Sequence, residues 1–180
     1  MELLADLHPK LVHFPIAFLS GYVLFEFIGG IIKKKVISQI AFTMLLLGVI
    51  GSLAAMITGG QAEETAEELL KVSSAKYETI HEAIEDHEFW GGLTTWFFTI
   101  LLILRTLFWI YLEKRGKFPK YLNPAKYIFV ILGVAGIFLI YETGEHGGKL
   151  VYKHGVGTEF VKPQTDQPPQ MEIKEENEKD

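Results

Sequence analysis

Four long apolar stretches, residues 11–32, 36–58, 91–112 and 125–141, govern what this chain can become. At about 1.5 Å of rise per residue, helices of this size match a hydrocarbon layer of roughly 30 Å. The first stretch holds one formal charge, Glu26, the second none, and the third only Arg105. Apolar residues make up 49% of the 180 positions, and they are gathered in these blocks rather than spread with the period of a soluble core. The pattern predicts an all-α integral membrane protein, a four-helix transmembrane bundle.

Charge sets its expected orientation. The short connections carry Lys33, Lys34 and Lys35, then Lys114, Arg115, Lys117, Lys120 and Lys126, against the single acid Glu113. Basic short loops stay in the cytoplasm. The N-terminus, the connection 59–90 and the tail are predominantly acidic, so both termini are expected outside a bacterial-type plasma (inner) membrane, facing the periplasm. Met1 to Lys10 lacks the basic start and cleavage site of a secretory signal, and span one is expected to be retained. Tyr127, Tyr141, Trp90 and Trp109 stand near span ends, where aromatic belts form.

Three parts follow: an external segment 1–10, a four-span domain 11–157, and an acidic tail 158–180 whose composition predicts disorder. Asn123 and Pro124 stand where they would open span four. Between spans two and three, Ala62, Ala66 and Leu69, then Tyr77, Ile80 and Ile84, recur at three- and four-residue steps. This periodicity predicts an external amphipathic helical segment in two pieces, hinged near Ser73 and Ser74.

With no cysteine, disulfides, thiolate metal sites, cysteine-ligated iron–sulfur clusters and covalently attached c-type haem are excluded. The net charge of −5 offers no basic surface, so no nucleic-acid partner is expected. Serine-nucleophile motifs, phosphate loops and the HExxH zinc motif are absent. What remains is histidine: His8, His13, His81, His87, His146 and His154 all fall on the external side of this topology. Neutral imidazole is the natural ligand of haem iron, copper, zinc or non-haem iron. His13 opens an apolar helix, where an ionisable group is costly enough to suggest function. His87 lies about 50° from the centre of the Tyr77, Ile80 and Ile84 face and can look into the bundle. His81 and His146, beside Glu82 and Glu145, stand outside the core set as surface residues. Gly48, Gly51, Ser52, Ala55 and Gly59 form a small-residue stripe that suits either close helix packing or a cofactor groove, and Gly133 and Gly136 repeat the choice.

LHPKLVHFPIA (Leu7 to Ala17), the Thr58–Gly59 pair, a histidine just before span three and GGKLVYKHGVG (Gly147 to Gly157) together resemble the membrane family catalogued as domain of unknown function 2231. The resemblance covers residues 7 to about 157. It implies a four-span fold, and because some relatives are fused to cytochrome c or Rieske-type domains it implies a redox setting. Residue by residue it points to His8, His13, His154 and His87, with His81 competing for the position of His87.

The expectation is a membrane-bound b-type haem protein, an electron-transfer subunit rather than a stand-alone enzyme. It would carry one or two haems near the external face, held by histidines drawn from His8, His13, His87 and His154. Its partners would be the lipid bilayer and an external electron carrier or a neighbouring redox subunit of a larger membrane complex. The competing readings are a structural or assembly subunit, and a non-haem metal site built from a compact cluster such as His81, Glu85 and His87. One structural expectation is independent of any cofactor. Glu26 lies seven residues before Lys33 and Arg105 eight before Glu113, which puts both roughly 11–12 Å above the cytoplasmic edge. At matching depth the two should pair; otherwise Arg105 snorkels outward and Glu26 is protonated.

Overall fold

In a computed structural model, residues 2–32, 34–71, 77–115 and 125–156 are described. They form five helices: α1 (Glu2–Leu11), α2 (His13–Ile32), α3 (Lys35–Lys71), α4 (Tyr77–Arg115) and α5 (Ala125–Tyr152). Helices α2 to α5 are the four that are long and apolar enough to cross a membrane. The expected hinge at Ser73 and Ser74, the Asn123–Pro124 start and the tail 158–180 lie outside the described residues.

The surface of the bundle shows what solvent it was built for. Leu24, Ile57, Trp96 and Ile131 are all more than half exposed, at 55%, 70%, 57% and 68%. Such faces are wrong for water and right for lipid.

Two of the helices extend well past their apolar spans. Helix α3 runs on to Lys71 and α5 to Tyr152, while α4 begins at Tyr77, before its span. The expected amphipathic pieces are therefore continuations of spans two and three. Their apolar face meets the end of α5: Ala66, Ile80, Ile84 and Leu150 form a small second core, with Ala83 and Val156 packed on it. The N-terminal segment is also helical. Pro15 has no N–H to offer the carbonyl of Leu11, so the helix interrupts at Val12 and α1 departs to pack on α3.

Around the bundle α2 packs on α3, α3 on α4, α4 on α5, and α5 back on α2, so α2 and α4 face each other across a diagonal. The main core fills that diagonal with Leu19, Tyr22, Ala41, Leu45, Val49, Phe98, Leu101 and Phe129. Glycines set the close approaches. A Cβ at Gly48 would strike Leu19, at Gly51 Pro15, at Gly133 Val23 and at Gly136 Phe98. The small-residue stripe thus serves helix packing along most of its length.

Across the same diagonal Arg105 Nη2 donates to Glu26 Oε2 at 3.0 Å and to Ser38 Oγ at 2.8 Å. The guanidinium also lies over the Phe129 ring, 5.1 Å from its centre. The two charges left inside the spans are paired, as their matching depth required, and the snorkelling alternative is not adopted.

Candidate functional site

At the end of the bundle that carries α1 and the extended parts of α3, α4 and α5, two of the six histidines come together. The rings of His8 and His87 stand 6.4 Å apart between centres, at an interplanar angle of 74°. The two side chains arrive from different helices, and each is seated against a third element.

His8 is carried by α1, whose packing on α3 lays the ring on Gly59. A Cβ at Gly59 would lie 3.1 Å from His8 Cε1, tight enough that the ring would have to give by a few tenths of an ångström. His8 Nδ1 is 3.1 Å from the hydroxyl of Thr58. That hydroxyl also lies within reach of the carbonyls of Ala54 and Ala55, each at 3.1 Å. A hydroxyl both donates and accepts, so this contact suits either tautomer of His8.

His87 is seated the same way on the opposite side. A Cβ at Gly147 of α5 would lie 2.9 Å from His87 Cε1. Its Nδ1–H donates to the carbonyl of Thr143 at 3.1 Å. A carbonyl only accepts, which fixes the tautomer. Thr143 is itself anchored, its hydroxyl reaching the carbonyls of Trp90 and Leu139 at 3.0 and 2.9 Å and lying 2.7 Å from the Thr94 hydroxyl. His87 therefore carries its proton on Nδ1, while His8 Nδ1 meets a hydroxyl that can give or take a proton.

The other histidines are placed apart. His13 opens α2 but is exposed; it precedes the buried Tyr22 by nine residues, about 900° or half a turn off, on the far side of the helix. His154 lies half-buried in the turn that ends α5, where Gly155 adopts φ 72°, a conformation open to glycine. His146 donates Nδ1–H to the Glu142 carbonyl at 2.8 Å and stacks on Trp90 at 5.9 Å. His81 bridges Glu67 and Glu85 at 3.2 and 3.5 Å. His81, Glu85 and His87 are not gathered: among the described residues no group of three or more histidine, aspartate or glutamate side chains could hold a metal ion.

The two rings meet edge to face, close enough for one bound group to be shared between them. Sequence reasoning named both histidines and quoted Thr58, Gly59 and Gly147 as motif residues. It did not see Thr143, or that Gly147 belongs to His87, since these sit more than fifty residues apart and only the α4–α5 pairing joins them.

A family model described as "Predicted membrane protein (DUF2231)" matches residues 5–160. The chain belongs to this family. No curated protein and no solved structure matches it. The DUF2231 match runs from α1 to just past α5, so every residue of the histidine site lies inside it.

Proposed function

We propose that this DUF2231 protein is a membrane-bound b-type haem protein whose iron is held by His8 and His87, and that it serves as an electron-transfer subunit. The observation that carries the reading is the pair itself: two imidazoles from separate helices brought together at 6.4 Å between ring centres, each seated on a glycine of a neighbouring helix. Haem is favoured over a bare metal because a porphyrin brings four nitrogens of its own and asks the protein for only two ligands. A non-haem centre asks for three or four, and no such group forms among the described residues. The haem would supply a one-electron couple. The chain's residues do the rest: Thr58 and the Thr143 carbonyl hold the rings in orientation and raise their basicity as outer hydrogen-bond partners, while Gly59 and Gly147 give the rings room. The acidic end bearing the site faces the periplasm in this reading, and the basic connections face the cytoplasm of a plasma membrane. Electrons would then be exchanged with an external carrier or a neighbouring subunit of a larger complex.

The test is a reduced-minus-oxidised visible spectrum of protein purified from haem-replete cells. A low-spin b-type signal is expected in the wild type, in His13→Ala and in His154→Ala. It should be lost or turned high-spin in His8→Ala and in His87→Ala. Protein without a chromophore, or the same spectrum in both of the last two variants, would overturn the proposal. It would favour a structural subunit in which the two Nδ1 bonds tie α1 to α3 and α4 to α5.

A further inference from the structure

The buried polar layer at the other end of the bundle has two donors with nothing to donate to. Tyr22 is 0% exposed, and its hydroxyl has no hydrogen-bond partner. Arg105 is 9% exposed; its Nη2 serves Glu26 and Ser38, but Nε also has no partner. The apolar residues of the same core, Ala41, Leu45, Phe98, Leu101 and Phe129, have no side-chain acceptor to offer, and Phe98 and Tyr22 meet edge to face at 6.4 Å between ring centres. A buried donor left unmade costs more than most single contacts contribute, and more still when it is charged. Two of them in one layer of a close-packed bundle call for an acceptor.

Tyr22 and Glu26 are one helical turn apart on α2, so the hydroxyl and the carboxylate share a face, and Arg105 reaches that face from α4. The occupant must accept from an O–H and from an N–H. It must also be neutral, because the one positive and one negative charge already cancel, and small, because the walls are aromatic and branched aliphatic side chains. An anion would add a second negative charge beside Glu26, and a cation would meet Arg105. We propose that this layer binds a single water molecule, which accepts from Tyr22 O–H and Arg105 Nε–H and donates to the Glu26 carboxylate. Water has two lone pairs for the two orphan donors and protons for the acceptor, within the two to four bonds that buried waters make. The network then joins Tyr22 and Glu26 of α2, Ser38 of α3 and Arg105 of α4.

Tyr22→Phe tests it, since the change removes one oxygen and keeps the ring. With the water in place the melting temperature falls by about 3–6 °C, as one or two hydrogen bonds are lost. An experimental density map of the wild type shows a solvent peak within hydrogen-bond distance of both Tyr22 Oη and Arg105 Nε, and the peak is lost in the variant. An unchanged or raised melting temperature would mean that the hydroxyl had no partner to lose, and the proposal fails. A lowered melting temperature with no peak in the wild-type map would mean that Tyr22 bonds Glu26 directly, and this too overturns the water.

Discussion

Replacing Glu26 by Gln leaves the Arg105 guanidinium charged and buried with the Ser38 hydroxyl and the Phe129 ring but no counter-ion; replacing Arg105 by Gln leaves the carboxylate buried without its cation. The contact is 3.0 Å with both side chains at least nine-tenths buried. At an effective dielectric of about 20 the Coulomb attraction at that distance is about 5.5 kcal/mol, before the cost of desolvating the two ions. Much of that attraction is spent on desolvation, so the pair adds little net stability over an apolar pair. Severing it from one side is another matter. A single buried charge without its partner costs about 3–5 kcal/mol. For a chain of this size about 2–4 °C of melting temperature goes with each kcal/mol, so each single variant should melt roughly 10 °C lower.

The double variant decides the argument. If the two charges act as one unit, removing the second leaves no lone ion behind, and two glutamines at this distance can share a hydrogen bond. Glu26→Gln with Arg105→Gln should then melt no lower than the worse single variant, where independent losses would sum to roughly 20 °C. The coupling should be about 3–5 kcal/mol, at or above the upper end for contacting residues. Thermal unfolding of the four proteins in one detergent, followed by circular dichroism, reads this directly. Additivity within about 0.5 kcal/mol would refute the pair as the reason these charges are tolerated.

Two further outcomes follow from the packing. Gly147→Ala puts a methyl 2.9 Å from His87 Cε1 and must shift the ring, so under the proposed haem ligation the visible spectrum should broaden or turn partly high-spin; Gly144→Ala, one turn earlier and facing open space, should leave that spectrum unchanged and raise stability by up to about 1 kcal/mol. Ile84→Ala opens a cavity in the small core under the α3 and α4 extensions at a cost of about 2–5 kcal/mol, and hydrogen exchange should quicken there while the spans stay protected.

What the sequence revealed, and what it hid, divides along one line. The spans were legible because lipid tolerates no unsatisfied backbone and few charges, so each crossing must be written as a continuous apolar run. The Glu26–Arg105 pair was legible for the same reason: with two charges in the spans and a depth for each from counting inward, few geometries remained. The face of Ala66, Ile80 and Ile84 was written in its period, although its partner, Leu150, lay beyond the expected end of span four. The helix break at Val12 had a signal too, in the N–H that Pro15 lacks.

The site was written only in part, because a histidine's spacing does not say what its ring will rest on. The exposed side of His13 can be read from its angle to Pro15, Leu19 and Tyr22, once those residues are taken as the inward face. The meeting of His8 with His87 cannot, since it depends on α1 folding back along α3 while α4 pairs with α5. The two most distinctive stretches of the sequence nonetheless end up at one place. LHPKLVHFPIA supplies His8, and GGKLVYKHGVG supplies the Gly147 on which His87 rests, although the two stretches are about 130 residues apart in the sequence. Helix packing alone would ask for small residues at contacts all along the bundle, and Gly48, Gly51, Gly133 and Gly136 meet that need. It does not ask that Gly59 and Gly147 each be fitted to an imidazole. A structural role for the histidines accounts for the Nδ1 bonds. What the proposed haem would explain in addition is that the rings of His8 and His87, from separate helices, meet at one place.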